Sequence, residues 1–111
     1  MSLAAGRLRS RIDIRRVAEV DDGRGGSDLT VTPIATGVRA EVKALTGSEA
    51  VLEKVLQDVR VYRITIRWRG DVSAKDQIRY GTEELNVRSA VDPDERREQL
   101  VIIADTRSTL G

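Results

Sequence analysis

The sequence predicts a mainly β protein: a small antiparallel β-barrel or sandwich of about five to six strands with one short inserted α-helix. Three observations carry this. Val61–Arg69 alternates strictly, placing Tyr62, Ile64, Ile66 and Trp68 on one side and Arg63, Thr65, Arg67 and Arg69 on the other, as in a half-buried strand. Similar alternations recur along the chain, separated by clusters of Gly, Asp, Pro and Ser. One stretch alone, about 47–57, switches to a helical period. At 111 residues the chain is expected to form a single domain with one modest core.

Taken in order, Arg11-Ile12-Asp13-Ile14-Arg15 alternates and predicts the first strand. Asp21 to Asp28 is dense in turn formers and predicts a flexible loop that extends to about residue 33. Within it, Leu29–Thr32 is a candidate short strand stopped by Pro33. Val38–Lys43 alternates again and predicts a second long strand with Val38, Ala40 and Val42 facing inward. Val51, Leu52, Val55 and Leu56 then form a stripe suited to one helix face, and Thr46-Gly47-Ser48-Glu49 has the form of a capping box at its start. Val61–Arg69 is expected to anchor the core, because it places two of the three aromatic residues on its apolar side. Gln77–Tyr80 and Leu85–Arg88 around Gly81-Thr82 read as a hairpin, with Ala90-Val91 extending its second arm. Leu100–Ala104, an unbroken apolar run, predicts a strand buried on both faces, and residues 106–111 a loose tail.

Composition closes off much chemistry. The chain has no cysteine and no histidine, so thiolate catalysis, disulfides, zinc–thiolate sites and the usual neutral-pH general base are all excluded. Nineteen basic residues against 18 acidic ones leave a net charge of +1, so partners must be sought in local patches rather than in a global field. No segment approaches a membrane span or an apolar signal region, and a soluble protein without membrane contact is expected.

Three candidate sites remain. Arg63, Arg67 and Arg69 share the polar side of the anchor strand and form a candidate weak face for DNA or a protein partner. A solvated strand face is favoured over this, because Glu41 and Asp13 are available as cross-strand partners. The loop Asp21-Asp22-Gly23-Arg24-Gly25-Gly26 lacks the Gly-Lys-Ser/Thr ending of a phosphate-binding loop and reads as a flexible hairpin tip and a candidate contact loop. Asp92, Asp94 and Glu95 read as turn chemistry beside Arg96 and Arg97, not as a cation site. No catalytic, cofactor-binding or metal-ligating residue is predicted.

The order of these elements resembles the head–tail joining, or head-completion, proteins of tailed phages, prophages and gene transfer agents. The resemblance rests on Gly6-Arg7-Leu8-Arg9 leading into Arg11–Ile14, on the Asp/Gly loop, and on Val38–Val42 followed by Leu45, Gly47 and Glu49. It continues through Arg63–Arg67 and is closest over the last hairpin: Ile78-Arg79-Tyr80-Gly81, Leu85-Asn86-Val87, Ser89–Asp94, Arg96-Arg97-Glu98 and Leu100-Val101-Ile102. One departure is that Leu29–Pro33 stands where such proteins often carry a tryptophan.

The resemblance implies a non-enzymatic protein of the virion neck, made in the bacterial cytoplasm, that forms a homo-oligomeric ring below the portal and adaptor. It would close the DNA channel after packaging, touch the packaged DNA transiently and present a docking surface to the tail terminator or other tail proteins. The insert carrying Thr46, Gly47, Glu49, Val51, Leu52, Val55 and Leu56 maps onto the segment that can project toward the channel in that family; alternatively its apolar stripe only covers the open end of the barrel. The loop Asp21–Gly26 would order in such a ring against an adjacent subunit or the adaptor. The alternative is a small β-barrel binding module that uses the arginine face for nucleic acid or a protein partner.

Overall fold

In a computed structural model, which describes residues 5–21, 23–45 and 60–106, the predicted alternations become six antiparallel strands closed into one barrel. The strands are β1 (Ser10–Asp21), β2 (Ser27–Leu45), β3 (Val61–Arg67), β4 (Asp76–Tyr80), β5 (Glu83–Val91) and β6 (Gln99–Asp105). A single 3-10 turn, Ala5–Arg7, precedes them. Around the barrel the order is β1-β2-β3-β6-β5-β4, and β4 pairs back onto β1 to close it. The predicted helix at about 47–57 and the tail beyond 106 lie outside the described residues.

Closure follows from the pattern. With a period of two, every strand offers one apolar face, and a closed sheet buries all of those faces against one another while leaving no free edge within the barrel. The interior is aliphatic: Ile12, Ile14, Ile64, Ile66, Ile78 and Ile102 are each 0–1% exposed, with Leu85, Val87, Ala40 and Ala104 between them.

The aromatic residues do not fill this core, contrary to expectation. Tyr62 and Tyr80 lie at its margin, ring edge to ring face at 6.1 Å. The Tyr62 hydroxyl donates to Glu83 at 2.7 Å, and burial together with that carboxylate raises the phenol pKa. Trp68 lies beyond the end of β3 and is 37% exposed. The alternation that seemed to include it continues past the strand, whereas the chain turns at Gly70. A Cβ there would come within 3.1 Å of the indole.

Two further expectations change. Leu29–Thr32 and Val38–Lys43 are not separate strands but parts of β2, which runs through Pro33 without a break. The residues near Pro33 explain why. Ile14 pairs with Ala35 and Arg15 with Pro33, so Ile34 is an extra residue, and β3 pairs with β2 only from Ala40 onward. Pro33 thus stands beside a bulge on an unpaired edge, where its missing N–H removes no ladder bond. The predicted loop at 21–33 accordingly shrinks to the turn between Asp21 and Ser27. A second bulge places Asp13 opposite Thr36-Gly37; Gly37 takes φ +63 there, and its N–H donates to Asp13 Oδ1 at 2.8 Å. Likewise β6 is not buried on both faces: Leu100, Ile102 and Ala104 are buried, while Val101 and Ile103 on its outer face are only partly covered.

The β4–β5 hairpin forms as predicted, with Tyr80 opposite Glu83 and Gly81 at φ +62, the conformation a type II′ turn needs at its first central position. Since β3 and β4 lie on opposite sides of the barrel, residues 68–75 must cross one end of it. Asp76, 1% exposed, holds that crossing. Its carboxylate accepts from Arg16 at 2.8 and 3.2 Å and from the Ser73 N–H at 2.9 Å, while Arg16 also donates to the Asp71 carbonyl at 2.8 Å.

Candidate assembly surfaces

The register assembles a basic row that spacing along one strand did not reveal. Arg11 and Arg39 are direct cross-strand partners on β1 and β2. Ala40 pairs with Ile66, so the residues flanking that pair, Arg39 and Arg67, continue the row onto β3. Ile12, Ala40 and Ile66 point into the core, so by alternation these three arginines point outward, and all three are exposed. Among the described residues none of the three has a hydrogen bond or ion pair. Like charges directly opposite on neighbouring strands destabilise by roughly 0.2–1 kcal/mol.

The carboxylates expected to neutralise this face are otherwise engaged. Glu41 is held by Arg7 in a two-pronged pair, Nε and Nη2 each at 3.0 Å. That pairing lowers the Glu41 pKa, as, more weakly, do the nearby Lys43 and Arg63. Asp13 accepts from Gly37, on the far side of the bulge. Lys43 and Arg63 are cross-strand partners one row beyond Glu41 and add to the basic character.

The predicted set Arg63, Arg67 and Arg69 is therefore not one site. Arg67 belongs to the row with Arg11 and Arg39, and Arg63 sits with Lys43 and Glu41. Arg69 lies beyond β3, forked onto Asp71 at 3.0 and 2.9 Å, which holds the Asp71 carboxyl below its ordinary range. Arg11 and Arg39 were missed because both occur in plain strand sequence; pairing the three alternations in register would have found them. Beside the row, Leu8, Val38 and Trp68 line a shallow cleft rimmed by Arg39, Arg67 and Arg69. The Arg97 guanidinium lies 5.4 Å from the centre of the Trp68 ring.

The second surface is an arm. Beyond the barrel, β1 and β2 continue together as a two-stranded ribbon, from Arg16 opposite Thr32 to Asp21 opposite Ser27. β4 pairs with β1 only over Asp13–Arg16, and β3 with β2 only from Ala40, so from Val17 opposite Val31 outward both edges of the ribbon are unpaired among the described residues. Val20, Leu29 and Val31 on it are 50%, 53% and 51% exposed. Glu19, Asp21 and Asp28 make its outer part acidic. Its tip contains the predicted contact loop: Gly23 and Gly25 take φ +77 and +84, and the Gly23 N–H donates to Asp21 Oδ1 at 2.9 Å. Asp22 lies outside the described residues, as do the insert residues Thr46, Gly47, Glu49, Val51, Leu52, Val55 and Leu56.

The Asp92–Arg97 turn is turn chemistry, as predicted: Asp92 accepts from the Arg97 N–H at 2.7 Å, and Glu95 and Arg97 both take φ +56. Among the described residues no cluster of acidic groups could hold a metal ion.

The six strands define a small closed antiparallel β-barrel that carries a two-stranded arm. The family model for phage head completion protein matches residues 3–107, and the chain belongs to that family, one of structural virion proteins rather than enzymes. Among solved structures, a chain in the virion of a native gene transfer agent particle is similar with a TM-score of 0.67 at 21% identity, over 92% of this chain and 96% of that one. A protein of Shigella flexneri 2a, solved in solution, is similar with a TM-score of 0.67 at 26% identity, over 96% and 99%. A comparison with curated proteins finds no match.

Proposed function

We propose that this chain acts at the virion neck, as a ring of copies below the portal and adaptor that closes the DNA channel after packaging and gives the tail its docking surface. Membership of the head completion family over residues 3–107 carries this reading. The fold supports it in one respect. Leu45 and Val61, which bracket the insert, are cross-strand partners, so the insert is anchored at both ends to one rigid rim of the barrel. A segment so anchored is suited to project into a channel, and Val51, Leu52, Val55 and Leu56 are its candidate contacts.

The test is imaging of particles from a host lacking the gene, complemented by wild type or by V51D/V55D. DNA-leaking heads beside unattached tails are expected without the gene; intact tailed particles would overturn the reading. Failure of a normally folded V51D/V55D protein would assign the insert to assembly. A second reading, a barrel that binds nucleic acid through Arg11, Arg39 and Arg67, is favoured by the absence of carboxylates on that row. It requires salt-dependent DNA binding by the isolated protein.

A further inference from the structure

We propose that the acidic, apolar arm of one copy docks into the arginine-rimmed cleft of the next, head to tail; this rests on the ring reading above. The two surfaces are incomplete in complementary ways. The arm carries exposed Val31 and Leu29 with Glu19 on one face, since Val17 pairs with Val31 and Glu19 with Leu29. The cleft offers an apolar floor of Leu8, Val38 and Trp68 beneath Arg39 and Arg67. An isolated two-stranded ribbon is marginal in water and needs a third layer or strand to be stable.

That partner cannot be the chain's own cleft. Glu19 and Arg11 are separated along β1 by a strand length of roughly 25 Å, and the ribbon points away from the arginine row. A second copy supplies the missing charge and the missing apolar cover at once. Because the two patches differ, the contact is heterologous, and repetition around an axis gives a closed ring rather than a symmetric pair. Electrostatic complementarity of this kind fixes the register between copies and suppresses wrong contacts.

The chain has no native cysteine, so a pair of introduced thiols reads this contact directly. Leu29 and Arg67 are both exposed, and L29C/R67C is expected to retain the wild-type melting temperature. Oxidation of particles carrying L29C/R67C should give a ladder of linked copies extending beyond the dimer, whereas either single variant should not. A product that stops at the dimer would overturn the head-to-tail arrangement. Particles that contain the protein but show no ladder, or show it linked to another virion protein, would overturn the proposal while leaving the neck role intact. Protection of the introduced thiol in R67C that depends on packaged DNA and disappears on nuclease treatment would assign the face to DNA instead. If the protein is absent from particles, the ring reading itself fails.

A charge exchange provides the second measurement. E19R/D21R, on the face that carries Leu29 and Val31, or R39E/R67E alone should lower the yield of tailed particles by about tenfold or more, as juxtaposed like charges require. The four changes together should restore it to within about threefold of wild type. Failure of the combination, with each protein folded, would overturn the docking.

Discussion

At the scale of single residues, the barrel depends on a few positions whose neighbours leave no substitute. Gly37 adopts φ +63 opposite Asp13, a conformation that costs a β-branched residue about 1–3 kcal/mol. Gly37→Val should lower stability by about that amount, read as a shift in the denaturant midpoint with the slope unchanged. Asp76 is different, being a buried carboxylate that joins the crossing segment to β1 through Arg16 and Ser73. Its partner Arg16 is 42% exposed and can turn to solvent, so the lost contacts, not a stranded charge, set the effect. Asp76→Ala should destabilise by about 1–3 kcal/mol, measurable by the same titration. Trp68 shows where reading residues singly fails. Its place in the alternation was plain, but nothing in its spacing shows that β3 ends at Arg67.

At the scale of elements, strands with a buried face were legible and their partners were not. The β4–β5 hairpin and the inward residues of β1, β3 and β6 follow from period and turn chemistry, because burial of one face enforces strict alternation. The long β2 was obscured because Pro33 normally ends a strand, and only its position beside a bulge on a free edge makes it tolerable. The arginine row was hidden for a related reason: it exists across strands, and register is a property of pairs. The N-terminal segment is tied down by the Arg7–Glu41 pair, whose carboxyl pKa is lowered in the folded protein. A lowered carboxyl pKa contributes stability above its ordinary value, and that contribution is lost as pH falls through the folded value. Protection of the amides in residues 7–10, relative to their intrinsic exchange rates, should therefore fall as pH drops below the usual carboxylate range, and Glu41→Gln should abolish that pH dependence. Unchanged protection in the variant would show that the segment is held by Leu8, which is 3% exposed, and not by the ion pair.

At the scale of the whole molecule, the principal extents of 51 × 30 × 27 Å reflect a barrel with a lateral arm. If arm and cleft pair between copies, R39E should weaken incorporation into particles without altering the melting temperature of the isolated chain, since Arg39 has no partner of its own among the described residues. Loss of thermal stability on that substitution would instead make the row part of the fold. The arm has a mechanical consequence. Its two strands are the same strands that enter the barrel wall: β1 runs from the arm straight into its ladder with β4, while β2 passes the bulges at Ile34 and Gly37 before its ladder with β3. A pull on the tip is therefore carried along β1 into its ladder with β4 and loads it in shear, where hydrogen bonds share the force, instead of peeling them open one at a time.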